Sequence, residues 1–287
     1  MDKFILSGFA DEIDMDLNIQ MDVMDKCNIK HIEMRGVDGK GLVEHDKEKV
    51  NEIKKRLDDR NFRISAIGSP IGKIDITDPF EEHLDLFKYT IDIAHTLDAK
   101  YIRMFSFFIP KGQDPYIYRD EVINRWEMFV DAAKDSGLVL LHENEKDIYG
   151  DTPERCLDLL KTLDCPYVRA TFDPANFVQC GVEVYPHAFN MLRPYIEYMH
   201  IKDALSRDGS VVPAGYGDGN IDKIIGELYK ENDNPMYLSL EPHLGKFAGL
   251  VALEKDNNRI ENLPSSGEEK FITAFNALKN ILSEIVD

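Results

Sequence analysis

The sequence has few cysteines, and their spacing excludes the common thiol motifs. The four are Cys27, Cys156, Cys165 and Cys180, and no two of them form a C-x-x-C pair. Without such pairs the chain has neither a thiolate zinc site nor a redox centre of the thioredoxin type. We therefore expect these cysteines to be reduced, buried and unreactive.

Long apolar runs and an excess of basic residues are also missing. No apolar run approaches the roughly 18–20 residues of a membrane helix, and the acidic start MDKFILSGFADEID lacks the apolar core of a signal peptide. Lys and Arg number 34 against 53 Asp and Glu, which gives a net charge of −19. Such a surface repels nucleic-acid phosphates and anionic lipids. We expect a cytoplasmic protein that binds neither nucleic acid nor membrane; a homo-oligomer is compatible with these features.

What the sequence does have is a regular alternation of strand-like and helix-like segments across its 287 residues. Helix-start signals, such as Thr77-Asp78-Pro79 and Asp151-Thr152-Pro153-Glu154, separate the segments. Strict alternation predicts parallel strands joined by helices, and the length is normal for one eight-stranded α/β barrel. We predict a single (β/α)8 TIM-barrel domain over residues 1–287.

The predicted elements follow from local hydrophobic periodicity. Four strands are predicted over residues 3–9, 29–34, 63–67 and 101–107, and four more end at Glu143, Asp173, His200 and Glu241. The main predicted helices cover residues 16–27, 46–61, 80–97, 117–136, 185–193, 222–230 and 268–285. A long loop at 245–267 separates the last strand from the last helix, and we interpret it as a surface insertion or oligomer contact rather than a catalytic lid.

The last four predicted strands end in side chains that can bind a metal ion. The segment LVLLHE ends on Glu143, VRATFD on Asp173, IEYMH on His200 and MYLSLE on Glu241. The carboxyl ends of barrel strands meet at one face, so these residues can come together despite their separation in sequence. Carboxylate oxygens and an imidazole nitrogen suit a hard-to-borderline divalent cation. The pattern predicts a metal-dependent enzyme.

Each of these residues also has a purely structural explanation. Glu143 and Glu241 could form ion pairs across the barrel mouth, and Asp173, which precedes Pro174, could begin a turn or cap a helix. A lone histidine such as His200 is more often a core residue than a ligand. All four explanations would have to hold together at consecutive strand ends, so we favour a metal centre.

The motifs around these residues resemble the xylose isomerase-like TIM barrels, and within them the sugar (phosphate) isomerase/epimerase branch. The resemblance covers nearly the whole chain and is carried by GFADE at 8–12, IEMR at 32–35, TFDPANF at 171–177, MHIKD at 199–203 and LEPH at 240–243. It implies one divalent ion (Mn, Mg, Co or Zn) bound by Glu143, Asp173, His200 and Glu241. It also implies that Glu143 and Glu241 act as the acid/base pair, and that Asn176 and Lys202 contact a small carbohydrate.

Two further features bear on the substrate. Arg35, Arg103 and Lys202 lie at or near strand ends, where they could bind an anionic group such as a phosphate. The glycine-rich segment 212–220 could present backbone amides to a phosphate or a hydroxyl, or it could be a tight loop that shapes the barrel rim. The sequence leaves these two readings of the loop open.

The chemistry of such a site is proton transfer next to a carbonyl. A bound cation stabilises the enediolate that forms, one glutamate removes the proton and another returns it. We predict a sugar or sugar-phosphate isomerase or epimerase. A metal-dependent dehydratase of the inosose or sugar-acid type would share the first step and is the main alternative. A DNA-repair enzyme of the endonuclease IV type is disfavoured by the net charge, and by Ser69 and Phe107 where further histidines would be needed.

Overall fold

The computed structural model describes residues 3–231, 234–244 and 266–286. Eight parallel strands form one sheet: β1 (Phe4–Gly8), β2 (His31–Met34), β3 (Arg63–Gly68), β4 (Tyr101–Met104), β5 (Val139–Glu143), β6 (Val168–Phe172), β7 (Ile196–Ile201) and β8 (Met236–Leu240). Their order is β1-β8-β7-β6-β5-β4-β3-β2, and the two end strands contact each other. The sheet is thus nearly closed into a barrel, which confirms the predicted (β/α)8 fold class.

Helices surround the barrel. They are α1 (Leu17–Lys26), α2 (Lys47–Asp59), α3 (Glu81–Thr96), α4 (Arg119–Ala133), α5 (Pro153–Leu163), α6 (Pro174–Gln179), α7 (Phe189–Leu192), α8 (Ile221–Glu231) and α9 (Gly267–Val286). One two-stranded ribbon pairs Gly36–Val37 with Lys40–Gly41, and another pairs Asp203–Ala204 with Val211–Val212. No helix among the described residues is long and apolar enough to cross a membrane.

Local sequence explains where several helices begin and which face they bury. The side chains of Asp16, Asp46 and Thr152 accept backbone hydrogen bonds in the first turns of α1, α2 and α5, as N-cap residues do. In α2, the buried residues Val50, Ile53 and Leu57 are spaced at three and four positions, so they form one apolar stripe that joins the hydrophobic core.

The interior of the barrel is filled by side chains. Three buried hydroxyls form a chain there, with Ser7 Oγ 2.6 Å from Ser65 Oγ and Ser65 Oγ 2.9 Å from the hydroxyl of Tyr198. Buried polar groups are stable when they are hydrogen bonded to one another in this way. The filled interior separates the two ends of the barrel, and the predicted site residues lie at the carboxyl end.

Some predicted boundaries are wrong. The fourth strand ends at Met104 rather than at residue 107, because Phe107 has φ 64°, a left-handed conformation that a strand cannot contain. The helix predicted over 185–193 is present but irregular: a π-helical turn at Val184–Ala188, in which Tyr185 has extended angles, leads into α7, and a 3-10 turn at Arg193–Tyr195 follows. The short helix α6 was not predicted. The helix predicted over 117–136 begins with a 3-10 turn at Pro115–Tyr118 and ends at Ala133.

The long loop predicted at 245–267 lies outside the described residues up to position 265. The last helix, α9, starts at Gly267, close to the predicted start at residue 268. The assignment of the whole chain to one domain stays a prediction.

Candidate metal centre and active site

The side chains of Glu143, Asp173, His200 and Glu241 converge at the carboxyl end of the barrel. Each offers one ligand atom, and these four atoms all lie within 4.8 Å of one another. His200 Nδ1 lies 3.1 Å from Glu143 Oε1, 3.6 Å from Asp173 Oδ2 and 3.5 Å from Glu241 Oε2. All four residues are buried. The parallel strands β5 to β8 bring them together because each residue ends or directly follows its strand, or lies one position before its end.

This donor set fits a divalent cation. Three buried carboxylates this close repel one another, and burying such charges is costly unless cations compensate them. Asp173 Oδ2 is buried and accepts no well-aligned hydrogen bond from the described part of the chain. Oxygen and nitrogen ligands of this kind could hold an ion such as Mn²⁺, Mg²⁺ or Zn²⁺.

Lys202 lies between two of the carboxylates. Its Nζ is 2.9 Å from Asp173 Oδ2 and 3.0 Å from Glu241 Oε2. Burial lowers the pKa of Lys202, but the charges of Asp173 and Glu241 outweigh it and hold that pKa well above its usual value. The side chain is therefore an ammonium ion, which offsets part of the negative charge of the cluster.

Two arginines pair with the two glutamates that the sequence analysis assigns to acid/base chemistry. Arg103 Nε lies 3.1 Å from Glu143 Oε2, and Arg35 Nη1 lies 3.2 Å from Glu241 Oε1. Arg35 also donates to Asp11, with Nε 2.8 Å from Oδ2. Both arginines line the pocket above the cluster, and their role in binding substrate stays a prediction.

The environments of the two glutamates differ. Burial raises the pKa of Glu143, and the nearby His200 and Arg103 oppose this only in part. For Glu241, the surrounding charges, led by Lys202 and His243, outweigh the effect of burial and lower the pKa well below its usual value. The two carboxyl groups are therefore electrostatically distinct.

The backbone around Asp173 is held by two asparagines. Asn144 Nδ2 donates to the Asp173 carbonyl at 2.8 Å, and its Oδ1 accepts from the Asp173 amide at 2.9 Å. Asn176 Nδ2 donates to Glu143 Oε1 at 3.2 Å, and its backbone amide donates to Asp173 Oδ1 at 2.9 Å. Asp173 thus caps α6 with one oxygen and faces the cluster with the other, so its capping role and its place in the cluster coexist.

Sequence reasoning missed Glu33 and underused Glu12. Glu33, on β2, has a fully buried side chain, and its Oε2 lies 3.1 Å from His200 Nε2. Glu12 follows β1 and forms, with Glu241 and His243, a second group of side chains close enough to share a metal ion. Burial raises the pKa of Glu12 to about 8. The available signal for Glu33 was a charged residue inside the short apolar strand HIEM.

A pocket opens above the cluster. It is lined by Glu143, Glu241 and the four predicted substrate contacts Arg35, Arg103, Asn176 and Lys202, together with Lys73, Phe105, Phe108, Glu145, Lys146, Asp147, Gln179 and His243. Charged groups and two aromatic rings share the wall, so the pocket suits a small polar molecule.

Glu145 points to the same side of the chain as Glu143, whereas His142 points to the other side. Glu145 lines the pocket, where its Oε2 lies 3.2 Å from Lys73 Nζ. His142 faces away, with Nε2 2.9 Å from Ser106 Oγ, and burial lowers its pKa to about 3. His142 is therefore neutral and separate from the pocket.

The glycine-rich loop is built around Asp203. The Asp203 carboxylate accepts backbone hydrogen bonds of 2.9–3.0 Å from Ala204, Gly215, Gly217 and Gly219. A Cβ at Gly217 would lie 2.3 Å from Asp203 Oδ1, so a larger residue would collide there. Since three loop amides already donate to Asp203, the arrangement is that of a tight rim loop rather than of a phosphate cradle.

Replacing Asp203 with asparagine is expected to destabilise the protein. The new amide group cannot accept the hydrogen bonds of one carboxylate oxygen, and each buried donor left without an acceptor costs about 1–3 kcal/mol. We expect the melting temperature to fall by at least about 4 °C in thermal unfolding. Asp208→Asn, an exposed change in the same loop region, is the control and should have little effect. Equal melting temperatures in the two variants would contradict this role of Asp203.

Ser69 and Phe107, at the positions where a DNA-repair enzyme of the endonuclease IV type would need further histidines, have structural roles. Ser69 Oγ donates to the carbonyl of Arg103 at 2.6 Å, and Phe107 stacks on Phe129 with ring centroids 6.1 Å apart. Among the described residues, both groups that could hold a metal include Glu241. In the part of the chain that the structure describes, neither position 69 nor position 107 therefore supplies a histidine ligand for a multi-zinc DNA-repair site.

Solved structures of other proteins share the fold of this chain. No curated protein sequence matches this chain. Among solved structures, it is similar to a D-tagatose 3-epimerase-like protein (17% identity, 99% of this chain and 98% of that one, TM-score 0.74). It is also similar to the IOLI protein with a bound zinc atom (16% identity, 98% and 99%, TM-score 0.75). A third is the probable 3-DHS dehydratase AsbF, involved in petrobactin synthesis, from Bacillus anthracis (20% identity, 97% and 99%, TM-score 0.71).

At these identities, likeness to the solved structures shows the fold alone. The family is shown by a separate match, because residues 22–261 fit the sequence model of the xylose isomerase-like TIM barrels. That match covers most of the chain. The chain belongs to the xylose isomerase-like TIM barrel family.

Proposed function

We propose that the protein is a metal-dependent isomerase or epimerase that acts on a small sugar or sugar phosphate. The observation that carries this proposal is the convergence of three buried carboxylates and one imidazole beneath a polar pocket. Three proteins with similar structures are named as epimerases or as like one: a D-tagatose 3-epimerase-like protein, 3-keto-D-glucoside 4-epimerase and L-ribulose 3-epimerase. Glu143, Asp173, His200 and Glu241 would hold one divalent ion, Mn, Mg, Co or Zn.

The proposed reaction moves a proton next to a carbonyl through an enediolate. A divalent ion, when bound, supplies the Lewis acidity that makes such a C–H group acidic enough to ionise. Glu143 and Glu241 project from β5 and β8, which are separated by β6 and β7 in the sheet, so they approach the pocket from different directions. One removes the proton and the other returns one. Return to the same carbon with inversion gives epimerisation, and return to the neighbouring carbon gives isomerisation.

The residues beside this pair have roles that follow from their contacts. Asn176 and Arg103 hold opposite oxygens of Glu143, at 3.2 and 3.1 Å. Lys202 and Arg35 do the same for Glu241, at 3.0 and 3.2 Å. All four supporting side chains line the pocket. We propose that they also donate hydrogen bonds to the hydroxyl or anionic groups of the substrate.

A metal-dependent dehydratase is the second candidate. It would share proton removal but would also need an acid to expel a hydroxyl group. Glu145 and His243 line the same pocket and are the residues that could serve, whereas His142 faces away from it. One of the similar structures is named as a probable dehydratase. The experiment that tests the proposed isomerase or epimerase must therefore also detect dehydration.

The two candidates are distinguished by a substrate screen in heavy water. The metal-loaded protein is incubated with ketoses, ketose phosphates and inososes, and the products are analysed by mass spectrometry. We expect deuterium to enter the substrate or product without loss of water, because proton removal is reversible in both isomerisation and epimerisation. A product lighter by one water would transfer the assignment to the dehydratase. A panel without deuterium uptake in any member would contradict both.

A further inference from the structure

The imidazole of His200 is held between carboxylates on both sides of its ring. Its Nδ1 faces the four-residue cluster, 3.1 Å from Glu143 Oε1. Its Nε2 faces Glu33, at 3.1 Å from Oε2 and 3.3 Å from Oε1. The side chains of His200 and Glu33 are both fully buried, so water does not compete for these contacts. On the side of the ring away from the cluster, the hydrogen-bonding partner of Nε2 is therefore the carboxyl group of Glu33.

The chemistry of Glu33 determines which nitrogen can bind an ion. A neutral imidazole carries a hydrogen on one nitrogen and a lone pair on the other, and only the lone pair can coordinate a metal. An ionised carboxylate accepts hydrogen bonds and cannot donate them. Facing Glu33, Nε2 must therefore carry the hydrogen. The lone pair is then left on Nδ1, the nitrogen that faces the cluster.

We propose that Glu33 is a positioning residue for the metal centre. Its carboxylate selects the Nε2–H form of His200, fixes the plane of the ring and makes Nδ1 a better donor. Carboxylates behind metal-binding histidines commonly have this effect, and losing one typically weakens metal binding about 10- to 100-fold. The inference rests on the proposed metal site, whose four ligand residues come from β5 to β8. Glu33 comes from β2, on another part of the barrel.

Glu33 also contacts Arg103, and a test must distinguish the effect of that contact from the effect of the contact with His200. Arg103 Nε lies 3.5 Å from Glu33 Oε1, so Glu33 also helps to neutralise this arginine. The contact with Arg103 depends on the negative charge of Glu33. The contact with His200 depends on a hydrogen-bond acceptor. Glutamine loses the charge but keeps an acceptor oxygen, whereas leucine loses both.

The first experiment measures metal affinity in three variants. Zn²⁺ and Mn²⁺ dissociation constants are determined by chelator competition on metal-free wild type, Glu33→Leu, Glu33→Gln and Ser65→Ala. Ser65→Ala removes two buried hydrogen bonds inside the barrel, to Ser7 and Tyr198, neither of which involves His200 or Glu33, so it controls for general disturbance. We expect Glu33→Leu to bind about 10- to 100-fold more weakly, Glu33→Gln to recover most of this loss, and Ser65→Ala to match wild type. Wild-type affinity in Glu33→Leu would overturn the proposal, and so would equal losses in the leucine and glutamine variants.

The second experiment uses the unaltered protein, so it is decisive even if Glu33→Leu fails to fold. The eight histidines are labelled with ¹⁵N, and the ring signals are recorded before and after addition of Zn²⁺. We expect one ring whose signals change on zinc addition, and we expect that ring to carry its proton on Nε2 and not on Nδ1. A zinc-sensitive ring with its hydrogen on Nδ1 would overturn the role of Glu33 while leaving the metal site intact. A wild-type protein that binds no divalent ion would overturn the proposed function as well.

Discussion

Replacing Glu143 or Glu241 with glutamine is expected to lower turnover at least about 10²-fold while the protein stays folded. The amide has nearly the shape of the carboxyl group, so packing around it is preserved, but it cannot take up or deliver the proton. Turnover is measured in heavy water as deuterium incorporation into the substrate that the screen identifies. Folding is checked by thermal unfolding and by circular dichroism.

The matched control for these variants is Glu197→Gln. Glu197 lies on the same strand as His200 but near its other end, and it accepts a hydrogen bond from the hydroxyl of Tyr101 at 2.8 Å. Residues at the amino-terminal face of such barrels contribute to stability rather than to chemistry. We expect Glu197→Gln to keep near-wild-type turnover. Near-wild-type turnover in both Glu143→Gln and Glu241→Gln would refute the acid/base pair.

Removing the metal is expected to abolish turnover and to lower the melting temperature. An ion that binds only the folded chain stabilises it by about 2.7 kcal/mol at one hundred times its dissociation constant. For a domain of this size, that corresponds to a change of about 5–10 °C. The protein is treated with a chelator, dialysed, and then unfolded thermally with and without added Mn²⁺ or Zn²⁺. Returning the ion should restore both turnover and melting temperature.

His200→Ala gives the matched variant for the metal experiment. It removes one proposed ligand and leaves the three carboxylates, so half-maximal activity should require a higher metal concentration than in wild type. The melting temperature of this variant should also rise less on addition of the ion. Full turnover in the chelator-treated wild-type protein, with an unchanged melting temperature, would contradict the proposed metal dependence.

The sequence was sufficient to predict the cluster because its geometry follows from the fold. Glu143, Asp173, His200 and Glu241 each close a separate apolar run, and a parallel barrel carries the ends of such runs to one face. Alternation that continues for two residues past the end of β5 likewise places Glu145 in the pocket and His142 behind it. These relationships require only strand periodicity and the direction of the strands.

The contacts that the sequence did not reveal connect strands that are not neighbours in the sheet. Glu33 on β2 meets His200 on β7 inside the barrel, and nothing in the local pattern around either residue specifies that pairing. The role of Asp203 was hidden for a different reason, because its partners Gly215, Gly217 and Gly219 lie in a loop whose backbone path the sequence pattern does not specify. The boundary error at Phe107 and the irregular turn at Tyr185 arise from individual backbone angles, which periodicity does not encode.

The barrel divides its site unequally between the two halves of the chain. The proposed ligands all come from β5 to β8, whereas Glu33, Arg35 and Arg103, which contact them, belong to the half that contains β1 to β4. Substitutions in the first half can therefore alter the surroundings of the proposed metal site and the pocket wall without deleting a proposed ligand. For engineering of new substrate preferences, changes in the first half are therefore best made at pocket positions other than Glu33, Arg35 and Arg103, so that the contacts to the proposed ligands are kept.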